Sequence, residues 1–148
     1  MAELSIQETY YPDVMCFGCG HANHKGLKLR SYEHDDEVVA TFTPWPEHDN
    51  GGGFLNGGII ATLLDCHGGA AVLLESQRRG FGTGGLSFVT AGIDVKFLRP
   101  TPLTEPLELR ARLLDASDDA ITVHSSIHFD GKARAESSAL WKRWKPRT

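Results

Sequence analysis

The residues of this chain best placed to do chemistry are Asn56-Gly57-Gly58 and, nine positions after Asn56, Asp65. They open what reads as an almost wholly apolar helix, Asn56-Gly57-Gly58-Ile59-Ile60-Ala61-Thr62-Leu63-Leu64-Asp65. The first N–H groups of a helix have no partner within it and carry partial positive charge, which suits an anion or a polarised carbonyl. A carboxylate about two turns into the same apolar helix costs free energy unless something pairs with it or uses it. Together the two features point to an active site rather than to a packing accident. Ala61 and Thr62 precede Asp65 by a helical turn and Gly68 and Gly69 follow it by one, so the carboxylate lies among small residues on one face. Two glycines inside a helix cost about 2 kcal/mol against two alanines. That cost makes sense if a substrate or a neighbouring backbone comes close.

The elements that must hold these groups follow from periodicity. Ile59, Leu63, Cys66, Ala70 and Leu73 recur at helical spacing, and Ile60, Leu64 and Leu74 widen the stripe, which predicts a buried helix from about Gly57 to Gln77. Before it, Leu27 and Leu29, then Val38, Val39, Ala40 and Phe42, predict two strands joined by the polar turn His34-Asp35-Asp36-Glu37. Pro44-Trp45-Pro46 ends the second, and Glu47 to Gly53 forms a glycine-rich loop. After the helix come a loop running to Gly84-Gly85 and three alternating runs. These are Ile93-Val95-Phe97, then Leu107 to Leu113, then Ile121 to Phe129. Asp130-Gly131 is a hairpin turn into a last strand, Ala133 to Trp144. Two strands, one long helix and four antiparallel strands is an α+β order, with a curved sheet wrapped around a single central helix.

The totals bound the function classes. The 148 residues suffice for one domain with a real core, 1–26 being a lead-in and a Cys/Gly-rich loop. An apolar content of 41% and a charged content of 23% are ordinary for a globular protein. A net charge of −4 argues against nucleic acid as the main partner. No run of 18 apolar residues appears, so no membrane span is expected. Met1 to Tyr10 lack a basic start followed by an apolar block, which reads as no secretory signal. Three cysteines, Cys16, Cys19 and Cys66, do not form a disulfide framework. A cytoplasmic protein with reduced thiols is expected.

With these residues in place the chain resembles the hotdog-fold acyl-CoA thioesterases of the phenylacetate-degradation (PaaI-like) group, over roughly Cys16 to Trp144. In that family His-Gly-Gly opens the central helix and an acid falls nine residues after the His; Asn56-Gly57-Gly58 and Asp65 keep the spacing. Thr90-Ala91-Gly92-Ile93-Asp94-Val95-Lys96-Phe97-Leu98-Arg99-Pro100 is similar to the strand that follows the helix there. Cys16-Phe17-Gly18-Cys19-Gly20 with Asn23 and Gly26-Leu27 is similar to a variant opening in some members. The resemblance implies a hotdog domain that hydrolyses an acyl-CoA, with Asp65 as nucleophile or general base and the Gly57 N–H polarising the thioester carbonyl. It implies that Asn50 helps hold the attacking water or the thioester. Thr90 would supply a hydroxyl across a dimer, so that Asp65 and Thr90 come from different subunits. Asn56, Gly58, Thr62 and Gly69 are the expected substrate contacts. No metal and no cofactor beyond the coenzyme A thioester itself is implied. Asn56 departs from the family's His, and as a good N-cap it is structurally tolerable there.

A single curved sheet leaves an edge strand and an exposed face, which predicts a homodimer or homotetramer. His67 lies two residues beyond Asp65 and cannot share its face, so it is read as a residue with a core polar partner or at a subunit boundary. Thr62 is expected to back-bond to the helix as well. Cys16 and Cys19 with His21 and His24 have zinc-knuckle spacing, but within nine residues, and the stretch is read as a glycine-rich cap over the site. Arg78, Arg79, Lys142, Arg143, Lys145 and Arg147 are candidates for coenzyme A phosphates, with ordinary solvated charge as the plainer reading. Two other functions compete: a non-catalytic acyl-CoA or acyl-carrier binding module on the same fold, and a metal or redox sensor built on Cys16 and Cys19.

Overall fold

A computed structural model describes residues 3–81 and 86–145. A short helix α1 (Ile6–Tyr10) leads, followed by β1 (Tyr32–His34) and β2 (Glu37–Phe42). The long helix α2 (Gly57–Arg78) comes next, then β3 (Phe88–Phe97), β4 (Leu107–Ala116), β5 (Ala120–Phe129) and β6 (Lys132–Arg143). The six strands form one antiparallel sheet in the order β1-β2-β4-β5-β6-β3. The chain leaves the sheet after β2, runs through α2, re-enters at the far edge as β3, and fills the middle with the β4-β5-β6 meander. Register shifts at Thr90/Gly92, Leu113/Asp115 and Ile127/His128 add twist and bend, and α2 touches every strand from β2 to β6.

The helix forms where its residues predict. Asn56 caps it, its side-chain oxygen accepting from Gly58 N at 2.7 Å and Ile59 N at 3.3 Å. Two apolar clusters join it to the sheet: Leu63 and Leu64 against Leu107, Leu109 and Ile127, and Val72 against Phe88, Ile121 and Val123. By length and mean hydropathy (1.5) α2 could cross a bilayer, but 61% of its apolar window is buried inside the protein. The hairpin at Asp130-Gly131 has positive φ at both residues (53° and 70°), the two-residue turn that matches strand twist.

Two expectations need correction. Leu27 and Leu29 are buried core residues but not a strand: their N–H groups bond Phe17 O at 2.8 Å and Gly18 O at 3.0 Å, so they are tied to the cysteine loop rather than to a ladder. The first strand is Tyr32–His34, turning at Asp35-Asp36. The alternation in β3 also does not mark a core face, because β3 is an edge strand on which Ile93 and Phe97 are exposed.

Candidate active site

Asp65 is half-buried on the face of α2 turned toward β3. Thr90, on β3, donates its hydroxyl to Asp65 Oδ1 at 2.7 Å. Burial pushes the carboxyl above the usual carboxylate range; the Thr90 donation opposes this, and negative charge on Cys16 adds to it. Both residues line a cavity of about 220 Å³ whose other walls include Tyr11, Leu73, Phe88 and Trp141. The result is a mostly apolar chamber with one carboxyl group in it. The expectation that Asp65 and Thr90 meet only across a dimer is overturned, since α2 and β3 of one chain already bring them together.

Gly57 and Asn50 lie elsewhere. They share a surface pocket of about 370 Å³ with Phe97, Leu98 and Pro100 at the mouth of α2. The Asn50 side-chain oxygen accepts from Gly52 N at 2.7 Å and Phe54 N at 3.3 Å, which folds the glycine loop back toward the helix start. Asn56 N–H donates to the carbonyl oxygen of the buried His48 at 2.8 Å and anchors the cap. The Asn56 cap consumes the Gly58 and Ile59 N–H groups, and Ile60 N–H closes onto Asn56 O. Of these first N–H groups, that of Gly57 alone has no acceptor among the described residues. Asp65 follows Gly57 by eight positions along the helix, a rise of ~12 Å. Reacting groups must approach to roughly 3–3.5 Å, so one chain cannot bring both to one carbonyl.

The remaining expected contacts divide. Asn56 and Gly58 are occupied with each other in the cap. Thr62 Oγ1 donates to Gly58 O at 2.9 Å, spending its hydroxyl on its own helix. Gly69 lines the Asp65 cavity, but its missing side chain serves Trp141: a Cβ there would come within 2.7 Å of the indole ring. Gly68 similarly admits Val123. The close approach inferred from the glycine pair is thus made by β5 and β6.

His67 points into the core. Its Nε2–H donates to Val38 O and its Nδ1 accepts from Ser31 Oγ, both at 2.9 Å, while Gln7 Nε2 donates to that same hydroxyl at 3.1 Å. Burial holds its pKa down to about 4, so it is neutral with one tautomer fixed by its partners. The basic residues are largely engaged: Arg78 with Glu33, Arg79 with Glu75 and Asp118, and Arg143 stacked over Phe81. Arg147 and Gly84-Gly85 lie outside the described residues. Sequence reasoning missed the part played by Cys66, which together with Cys16 and Cys19 lines the Asp65 cavity. Its place one residue after Asp65 on the same helix was the available signal.

The fold that carries these residues has known relatives. The Thioesterase superfamily model matches residues 52–136, more than half of the chain. A thioesterase superfamily protein from Shewanella loihica PV-4 is 29% identical over 84% of this chain and 98% of its own, with a TM-score of 0.66. The Escherichia coli PaaI protein from the phenylacetic acid degradation operon is 22% identical over 83% and 88%, with a TM-score of 0.67. The smu.793 protein from Streptococcus mutans UA159, bound to acetyl CoA, is 18% identical over 81% and 91%, with a TM-score of 0.63. No curated protein matches the chain. Its cap, its central helix and the six-stranded sheet around it therefore belong to a hotdog fold shared with PaaI, and the chain is a member of the thioesterase superfamily.

Proposed function

We propose that this protein hydrolyses acyl-CoA thioesters, in a dimer or dimer of dimers. Each active site would join Asp65 and Thr90 of one subunit to Gly57 and Asn50 of another. The observation that carries the reading is the division of the site. A carboxyl group in an apolar cavity and a bare helix-start N–H lie on one helix, ~12 Å apart by helical rise, each holding half of what acyl transfer needs. The surface supports the pairing. Edge strand β3 leaves backbone groups unpaired on one side, and Ile93 and Phe97 upon it, with Leu98 and Phe54 nearby, expose apolar area beside the helix mouth. The acetyl CoA on the Streptococcus mutans relative supports coenzyme A as the thiol carrier.

In this reading the Gly57 N–H donates to the thioester carbonyl oxygen and holds the negative charge that develops there, a contribution of about 2.7–4 kcal/mol for one such donor. The Asp65 carboxylate attacks the carbonyl carbon, or takes a proton from the water that does. Thr90 fixes Oδ1 and leaves Oδ2 for that task. The tetrahedral intermediate collapses by breaking the carbon–sulfur bond, and the coenzyme A thiolate leaves and takes up a proton. If Asp65 is the nucleophile, water then hydrolyses the acyl-aspartyl anhydride. The apolar cavity receives the acyl group.

The test is a panel of acyl-CoAs, aliphatic and aromatic, assayed for free thiol release by wild type and by Asp65→Asn. Release by wild type with loss in the variant supports the reading; equal release from both contradicts it. Tight acyl-CoA binding with no turnover by wild type would replace it with a binding module.

A further inference from the structure

Cys16, Cys19 and Cys66 take no part in the hydrolysis just described, yet the fold brings them to one point. Cys66 is fifty residues from Cys16. All three Sγ atoms nevertheless lie within 4.8 Å of one another, with Cys16 Sγ 3.6 Å from Cys66 Sγ. The loop is shaped for this meeting. Gly18 packs directly on Cys66, where a Cβ would overlap the sulfur, and a Cβ at Gly20 would overlap the Val14 carbonyl oxygen. Gly20 N–H closes a tight turn onto Cys16 O at 2.8 Å.

The spacing fits coordination. Three thiolates around a tetrahedral zinc ion, at about 2.3 Å each, stand ~3.8 Å apart. The Cys16 and Cys66 sulfurs stand near that separation, the Cys19 sulfur lies within 4.8 Å of both, and a disulfide would join two of them and strand the third. Cys16-x-x-Cys19 supplies two ligands from a turn, and α2 supplies the third from a rigid element. We propose that Cys16, Cys19 and Cys66 form a binding site for one thiophilic divalent metal ion of the zinc type, its fourth position open to the cavity beside Asp65. Binding replaces the proton of every sulfur still held as a thiol by a metal–sulfur bond and releases it to solvent, while a sulfur already a thiolate coordinates directly, with no change of oxidation state. The site shares the Asp65 cavity, yet no step of the proposed hydrolysis passes through it, and its test does not depend on turnover.

The test uses the full chain, reduced, stripped with a chelator and reloaded with Zn²⁺ or Co²⁺. One zinc per chain should survive gel filtration and shield all three thiols from alkylation. Bound Co²⁺ should show sulfur-to-metal charge-transfer absorption. Cys16→Ser and Cys66→Ser, each checked for folding by circular dichroism, should bind zinc at least tenfold more weakly. Three results would overturn the proposal: no zinc retained by the reduced protein; binding unchanged in Cys66→Ser; or a reduced-and-reloaded chain that still lacks two hydrogens by mass because a thiol pair has oxidised. Should one variant fail to fold, the alkylation and Co²⁺ measurements on wild type decide the matter.

Discussion

Asp65 and His67 lie two residues apart on one helix, about 200° around its axis, and the structure treats them in opposite ways. His67 is wholly enclosed, and each ring nitrogen has a partner, Ser31 on one side and the Val38 carbonyl on the other. Its hydrogen-bonding capacity is spent on joining α2 to β2 and to Ser31, just ahead of β1. Asp65 is half-buried, has Thr90 as its one hydrogen-bond partner among the described residues, through Oδ1, and lines a cavity. Burial displaces both titrations, but only Asp65 is left with something to do. A displaced pKa on a core helix therefore marks a functional group when the polar atoms are under-used and a cavity lies beside them.

That contrast can be broken by substitution. Asp65→Asn keeps shape and removes the base, and kcat/KM for the best acyl-CoA should fall by roughly 10²–10⁴-fold with the Tm little changed; a drop in Tm with activity retained would reverse the assignment. Gly57→Pro deletes a single N–H at the first helical position, where proline is well tolerated. Asn56 has φ −59° and ψ 134°, the polyproline-like region a residue before proline favours, and the nearest atom to an added Cβ is Phe97 Cε1 at 3.5 Å. A kcat loss on the order of 10²–10³-fold without loss of helix, by circular dichroism, is expected. Thr90→Val removes the hydroxyl donor and keeps the volume; a hydrogen bond to a charged group is worth about 1.5–3 kcal/mol, so kcat should fall roughly ten- to a hundredfold. His67→Leu should do the reverse of these. It leaves the Val38 carbonyl without its partner, and urea unfolding should show a loss of about 1–3 kcal/mol while activity per folded molecule is kept.

Much of this was legible in the residues, for physical reasons. The helix announces itself by period, cap and glycine mouth, and the β4-β5-β6 meander by alternation and the Asp130-Gly131 turn. Both signals are local, and the structure follows them within a few residues. What lay hidden depends on distant partners. Gly69 signalled a close approach, but only the folded sheet shows that Trp141 makes it. Leu27 and Leu29 have strand-like spacing, yet their N–H groups find the cysteine loop first. Thr90 is read from the family resemblance as reaching Asp65 from another subunit, whereas β3, docked beyond β6, brings its hydroxyl to Asp65 within one chain. Cys66 looked like one more apolar helix position until the loop folded onto it.

The central claim is that Asp65 of one chain serves the carbonyl held by Gly57 of another, and co-expression of the two inactive chains tests it directly. Random pairing of Asp65→Asn with Gly57→Pro makes half of the dimers mixed, and each mixed dimer then holds one intact site and one doubly impaired site. The account predicts recovery of about a quarter of wild-type activity in the mixture, against near-zero activity for each variant alone. A mixture no more active than its separate components would contradict it.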